Sequence, residues 1–178
     1  MQRVIIIGST GSGKSTLARA LAERLGIGHT ELDNLRWQPG WQELDDATFR
    51  VLVDSATAAP QWVIDGGYSI VRDLVWGRAD TIVWLDYSPG RTAWRLMRRT
   101  FLRNLRGDPC CNGNRESLRR SLGRDSILLW LLKSYGANRR NFPVALTHYA
   151  HAQQFVFRTP AQAAKWLEAL PARARSIE

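Results

Sequence analysis

The stretch Gly8-Ser9-Thr10-Gly11-Ser12-Gly13-Lys14-Ser15-Thr16 constrains this chain more than any other. It follows the apolar run Val4-Ile5-Ile6-Ile7 and leads into Leu17-Ala18-Arg19-Ala20-Leu21, so it reads as strand, glycine-rich turn and helix start. Glycines let successive backbone N–H groups turn inward on a polyphosphate, and the new helix adds its positive N-terminal end. Lys14 places a full charge near the β- and γ-phosphates, and the Ser15 hydroxyl is a hard oxygen ligand for Mg²⁺. In that setting residues 8–16 read as a nucleoside triphosphate cradle, with ATP and Mg²⁺ as the expected cofactors.

A length of 178 residues suits one domain with a sizeable core. The first apolar run is four residues long and ends in the glycine loop, unlike a signal peptide. The later run Ile127-Leu128-Leu129-Trp130-Leu131-Leu132 is far too short to cross a bilayer. Cys110 and Cys111 are adjacent, a poor arrangement for a structural disulfide, so free thiols in a reducing cytoplasm are expected. The net charge of +9 is concentrated: residues 91–140 carry 13 Lys/Arg against 3 Asp/Glu. Such a block suits a polyanion, either nucleotide phosphates or a nucleic acid backbone.

Along the chain, Leu17, Leu21 and Leu25 recur at helical spacing and Gly26 closes that helix. Residues 27–32 read as a second strand ending at Asp33. Ligands in parallel α/β sheets sit off the carboxyl ends of strands, so Asp33 is expected to share a crevice with Lys14. Trp37 and Trp41 flank the Pro39-Gly40 turn, where they either line a pocket or pack the loop. A helix starts at Asp45-Asp46 and runs through about residue 59, with Phe49, Leu52, Val53 and Ala56 as its buried stripe.

Trp62-Val63-Ile64 is a third strand, and Asp65-Gly66-Gly67-Tyr68 at its carboxyl end gives a substrate close access to the backbone, with Arg72 following. Residues 81–85 form a fourth strand ending in Asp86, which either reaches Mg²⁺ through water or caps a turn. Residues 91–106 are amphipathic, with Trp94, Met97, Phe101 and Leu105 on one face and six arginines, Arg95 and Arg99 among them, on an adjoining one. Residues 107–114 break the helix and Arg115–Arg120 resumes it. A further helix carries Leu128, Leu131, Leu132 and Tyr135 toward Arg139-Arg140. An arginine-rich insertion between strands four and five is the plan of a lid that closes over a triphosphate. Phe155-Val156-Phe157 is a fifth strand, Thr159-Pro160-Ala161-Gln162 starts the last helix, and residues 173–178 form a frayed tail.

These motifs together resemble the adenylate-kinase-like group of phosphate-loop kinases and, within it, the bacterial DNA topology modulation proteins. Leu32-Asp33-Asn34-Leu35, Trp37, Pro39-Gly40-Trp41, Trp62 to Ser69, Ala79-Asp80-Thr81-Ile82 and Asn112-Gly113-Asn114-Arg115-Glu116-Ser117 carry the likeness. It implies a three-layer α/β/α phosphate-loop NTPase fold with a five-stranded parallel sheet in the order 2-3-1-4-5. A single domain over residues 1–178 would carry a helical lid at about 99–140. It further implies that Asp65-Gly66 orders waters around Mg²⁺, that Arg72 meets an acceptor phosphate, and that Arg95 and Arg99 enter the lid while Arg139 leaves it. Asp33 sits where small-molecule kinases such as shikimate kinase hold the acceptor. The segment after Asp33 lacks the threonine-glycine pattern that adenylate kinases use around AMP.

The expected activity is transfer of the γ-phosphate of Mg·ATP to a small-molecule or nucleotide acceptor. Lys14, Arg95, Arg99 and Arg139 would balance charge, and Asp33 would orient or deprotonate an acceptor hydroxyl. Trp37, Asp65, Gly66, Gly67 and Arg72 complete the expected acceptor side, and Ser15, Asp65 and Asp86 the Mg²⁺ side. The alternative is an ATP-binding regulator that contacts nucleic acid through residues 91–140. No helix-turn-helix or RNA-binding signature accompanies that block.

Overall fold

The computed structural model describes residues 1–106, 111–114 and 127–171, with the backbone alone at 111 and 127–133. The expected helix at 115–120 and the tail at 173–178 lie outside the described residues.

Five parallel strands form the sheet: β1 (Arg3–Gly8), β2 (His29–Glu31), β5 (Trp62–Asp65), β6 (Thr81–Leu85) and β7 (Gln153–Phe157). Their spatial order is β2-β5-β1-β6-β7. A two-stranded hairpin, β3 (Trp37–Gln38) with β4 (Gln42–Glu43), intervenes in the chain and shifts the numbers. Counted within the large sheet alone, the order is 2-3-1-4-5. β1 sits at the centre because its β-branched run is buried on both faces, the condition of a parallel strand covered by helices. Alternate residues feed two separate cores. Ile5, Ile7, Ile64, Ile82 and Trp84 pack with Phe49, Val53, Val75, Trp76 and Phe142. Val4, Ile6, Val63, Val83 and Leu85 pack with Leu17, Leu21 and Ala163 on the other side. The period of two thus makes three layers.

The helices are α1 (Lys14–Leu25), α2 (Leu32–Arg36), α3 (Asp46–Thr57), α4 (Arg72–Arg78), α5 (Pro89–Arg106), α6 (Ile127–Thr147) and α7 (Pro160–Ala169). Gly26 ends α1 in the left-handed conformation, with its N–H donating to backbone carbonyls of the last turn. Thr159 and Gln162 form a reciprocal capping box on α7. Asp45 caps α3 by accepting from Thr48 N at 2.9 Å.

Three expectations need correction. The second strand stops at Glu31, because Glu31 opposite Asp65 is the last pair that β5 offers. Leu32 therefore opens α2, and Asp33 stands in a helical first turn rather than at a strand end. On α3, Thr57 rather than Leu52 completes the buried stripe, and Leu52 is exposed. On α5 the residues turned inward are Thr92, Leu96 and Thr100, while Trp94 (65 % exposed), Phe101 (61 %) and Leu105 (73 %) face outward. Small threonines let α5 lie close to the glycine loop, which is what decides the face.

Candidate active site

The glycine loop joins β1 to α1 with Gly11 and Gly13 at positive φ, 83° and 91°. No side chain caps α1, so its first amides are left for a ligand. Two of the glycines also admit a neighbouring helix. A Cβ at Gly11 would stand 2.7 Å from the Thr92 carbonyl oxygen, and one at Gly13 would stand 2.9 Å from Nη2 of Arg95. Helix α5 thus rests on the loop and lays the half-buried Arg95 across the start of α1.

Lys14 Nζ donates to the Ser9 carbonyl at 3.2 Å, folding back over the loop. Burial pushes its ammonium below the usual lysine range, Asp33, Asp65 and Glu31 pull it back up, and Arg99 pushes it down again. The same interactions place Asp33 and Arg99 in the electrostatic neighbourhood of Lys14. A cation whose charge is disfavoured by its surroundings is prepared for an anion.

Ser15 Oγ donates to Asp65 Oδ2 at 2.7 Å. Asp65 is only 4 % exposed, and His29 Nε2 lies 2.8 Å from its other oxygen. Neighbouring ligands on one ion at about 2.1 Å are separated by about 3.0 Å. The Ser15 hydroxyl and Asp65 carboxylate are hard oxygens whose 2.7 Å hydrogen bond lies slightly inside that separation, and their donor chemistry fits a Mg²⁺ ion.

Asp33 is exposed and accepts from the Tyr68 hydroxyl at 2.7 Å, and its charge is felt at Lys14. Trp37 and Trp41 meet edge to face with ring centroids 5.9 Å apart, which packs the hairpin turn. Two asparagines fasten this segment. Asn112 Nδ2 donates to the Asn34 and Trp37 carbonyls at 2.7 and 2.6 Å. Asn114 accepts from Trp41 N and donates to Gln38 O, each at 2.9 Å.

The remaining expected site residues have partners of their own. Arg72 lies over the Trp76 ring at 4.9 Å and lines a pocket of about 440 Å³ with Asn141, Val144, His148 and Tyr149. Cation–π stacking accounts for that placement. Asp86 pairs with Arg139, Nε to Oδ1 at 3.6 Å, so these two partner one another at the end of β6. At Gly66, with φ 141°, a Cβ would meet Leu32 Cβ at 2.7 Å. Its missing side chain makes room for the core, whereas the exposed Gly67 next to it has only Phe142 within reach, at 3.8 Å.

Sequence reasoning missed His29, Tyr68 and the two asparagines. His29 could have been found from its spacing: two residues before Glu31 on one strand, it shares that face. Asn112 and Asn114 entered only as part of the family likeness, and their role was not legible because they bond to backbone carbonyls and amides that any sequence provides.

No protein-family model matches the chain. It is 33 % identical over 95 residues to a shikimate kinase of Gloeobacter violaceus, covering 46 % of the chain and 54 % of that protein. A Synechococcus shikimate kinase matches at 33 % over 105 residues, covering 51 % of the chain and 53 % of that protein. The chain thus spans about half the length of the curated relatives it matches. Among solved structures, a shikimate kinase of Bacteroides thetaiotaomicron superposes with TM-score 0.57 at 16 % identity, covering 94 % of each chain. A Sinorhizobium meliloti gluconokinase gives 0.56 at 19 % identity, over 94 % of this chain and 87 % of that one. A Janibacter sugar kinase gives 0.52 at 17 %, over 98 % and 99 %. The fold shared with all three is an α/β fold built on a parallel five-stranded sheet with helices on both faces.

Proposed function

We propose that this chain is a small-molecule kinase that passes the γ-phosphate of Mg·ATP to an acceptor hydroxyl. The observation that carries the proposal is Asp33: a surface carboxylate held by Tyr68, in the electrostatic neighbourhood of the half-buried Lys14. A carboxylate there repels an acceptor phosphate but suits a hydroxyl, whose proton it accepts as oxygen bonds to phosphorus and ADP leaves. The relatives named as shikimate kinase and gluconokinase support hydroxylated carboxylic acids as the acceptor class.

The loop amides, the α1 N-terminus and Lys14 would bind the triphosphate, while Ser15 and Asp65 would hold Mg²⁺, which would supply screening of phosphate charge. Arg95 over Gly13 and Arg99 near Lys14 neutralise charge that develops on the transferring group. Arg139 joins them in this reading only by leaving Asp86 when both substrates are present. Arg72, stacked on Trp76, lines a separate pocket and has no assigned role in this reading. The relatives named above are kinases, and they do not support the finer likeness to DNA topology modulation proteins.

The test is ADP release from ATP across AMP, nucleosides, shikimate, gluconate and other sugar acids, with Asp33→Asn beside the natural chain. Release driven by a hydroxy acid, lost in Asp33→Asn while ATP still binds, is the expected result. Transfer confined to nucleoside monophosphates, or ATP bound with no transfer to any acceptor, overturns it.

A further inference from the structure

We propose that His29, Glu31 and Asp65 form a second divalent-cation site, suited to a transition metal and distinct from the position that Ser15 marks. Their ligand atoms all lie within 4.8 Å of one another, the only such His/Cys/Asp/Glu group among the described residues. The backbone makes the grouping. His29 and Glu31 are two apart on β2 and so share one face of the sheet, and Glu31 stands directly opposite Asp65 in the parallel register. Helix α1 supplies the cations that face this cluster, Lys14 from its first turn and Arg19 from its second.

The two ends of Asp65 separate the two sites. Its Oδ2 takes the Ser15 hydroxyl, while its Oδ1 faces His29 Nε2 at 2.8 Å. Ligands on a Zn²⁺-like ion at about 2.1 Å lie roughly 3.0–3.4 Å apart, so His29 and Asp65 already stand near the spacing of two ligands on one ion. Glu31 completes the set with a small side-chain rotation. Its present partner is Arg19 Nη2 at 3.3 Å, whose side chain is 64 % exposed, and an exposed pair of that kind holds weakly. Entry is open, because β2 is an edge strand and Glu31 is about a quarter exposed.

The donor set decides the metal class. One imidazole and two carboxylates favour Mn²⁺, Co²⁺ or Zn²⁺ over Mg²⁺, which prefers oxygen and its own waters. Two carboxylates also offset the divalent charge beside Lys14. Three protein ligands leave open positions, so water or a phosphate oxygen can complete the shell.

The probe is CoCl₂ titrated into the full, nucleotide-free chain, followed by visible absorption and calorimetry. The expected result is one Co²⁺ per chain, with affinity falling at least about tenfold in both His29→Gln and Glu31→Gln. An equal concentration of MgCl₂ should leave it bound. On the natural chain, Co²⁺ should broaden the imidazole proton resonances of His29 before those of His148 and His151, which needs no variant to fold. Absence of a stoichiometric site, unchanged affinity in the variants, displacement by equimolar Mg²⁺, or simultaneous broadening of all three histidines overturns the proposal. Because no nucleotide is present, this outcome is independent of the ADP-release screen: either reading can fail while the other stands.

Discussion

The guanidinium of Arg95 occupies the space that a side chain at Gly13 would need, 2.9 Å from the position of the missing Cβ. Gly13 at φ 91° is therefore constrained twice, by its own backbone and by the arginine above it. This contact joins α5 to the head of α1. A guanidinium laid across the start of the phosphate cradle is expected to act on charge that develops in the transition state. Arg95→Ala should lower kcat by roughly 10³-fold or more, the scale of an arginine finger, with ATP affinity changed far less. Steady-state kinetics beside equilibrium nucleotide binding checks this. Equal and modest losses in both would remove Arg95 from the transferring group.

Lys14 supplies a prediction with the opposite sign for stability and function. Burial holds its ammonium below the ordinary range, so the folded chain disfavours the charge it carries at neutral pH. That penalty is present at neutral pH, is relieved as pH rises through the lowered folded value, and is gone above the unfolded value near about 10.4. Lys14→Met should thus leave the nucleotide-free melting temperature unchanged or raised at pH 7, with the gap closing toward pH 10. Mg·ATP at about 100 times its Kd should add roughly 5–10 °C to the natural chain and nothing to the variant. Thermal scans with and without nucleotide measure both. A lower melting temperature for the variant at pH 7 would show that the Ser9 contact outweighs the desolvated charge.

The sheet was legible because its signals are local and repeated. Val4-Ile5-Ile6-Ile7, Trp62-Val63-Ile64 and residues 81–85 are continuous apolar runs, each followed by glycine or aspartate, and such runs leave few alternatives to a buried parallel strand. The loop amides and Lys14 were legible for the same reason. What escaped depends on three-dimensional neighbours. The apolar stripe of α5 reads as a core face by periodicity, yet the glycine loop admits only the Thr92, Leu96 and Thr100 side. Gly66 reads as an opening for substrate, yet Leu32 fills it. The partners of Arg72 and Asp86, Trp76 and Arg139, are likewise set by the fold and not by local sequence.

Asn114 predicts a coupling between the segment after α5 and the acceptor side. It is 4 % exposed and satisfies Trp41 N and Gln38 O at once, while Asn112 holds Asn34 and Trp37. Asn114→Ala strands both backbone groups and should cost about 1–3 kcal/mol locally. The hairpin of Trp37 and Trp41 would loosen, with a measurable change in tryptophan emission. On the proposed reading, acceptor KM should rise while ATP affinity stays within about twofold. Unaltered emission together with an unaltered KM would mean that the two asparagines serve packing alone.

Asp80 ties the start of three strands together. Its Oδ2 accepts from the Gln2 and Arg3 amides at 2.7 and 3.0 Å, its Oδ1 accepts from Thr81 Oγ1 at 2.7 Å, and its carbonyl accepts from Gln153 N at 2.8 Å. Burial pushes its carboxyl up, but the Thr81 hydroxyl and the Arg3 and Gln2 amides outweigh this and hold it below the usual range. A depressed carboxyl stabilises the fold above its unfolded value near about 3.9, and that contribution is lost as pH falls through the folded value. Asp80→Ala should cost about 1–2 kcal/mol at pH 7, lowering the melting temperature by roughly 2–8 °C. The gap should stay constant from pH 7 to about 5 and shrink below about 4, where the natural chain loses the same interaction. Melting curves of the two proteins across that range decide it. A gap that persists unchanged to pH 2 would assign the effect to lost packing rather than to the ionised carboxylate.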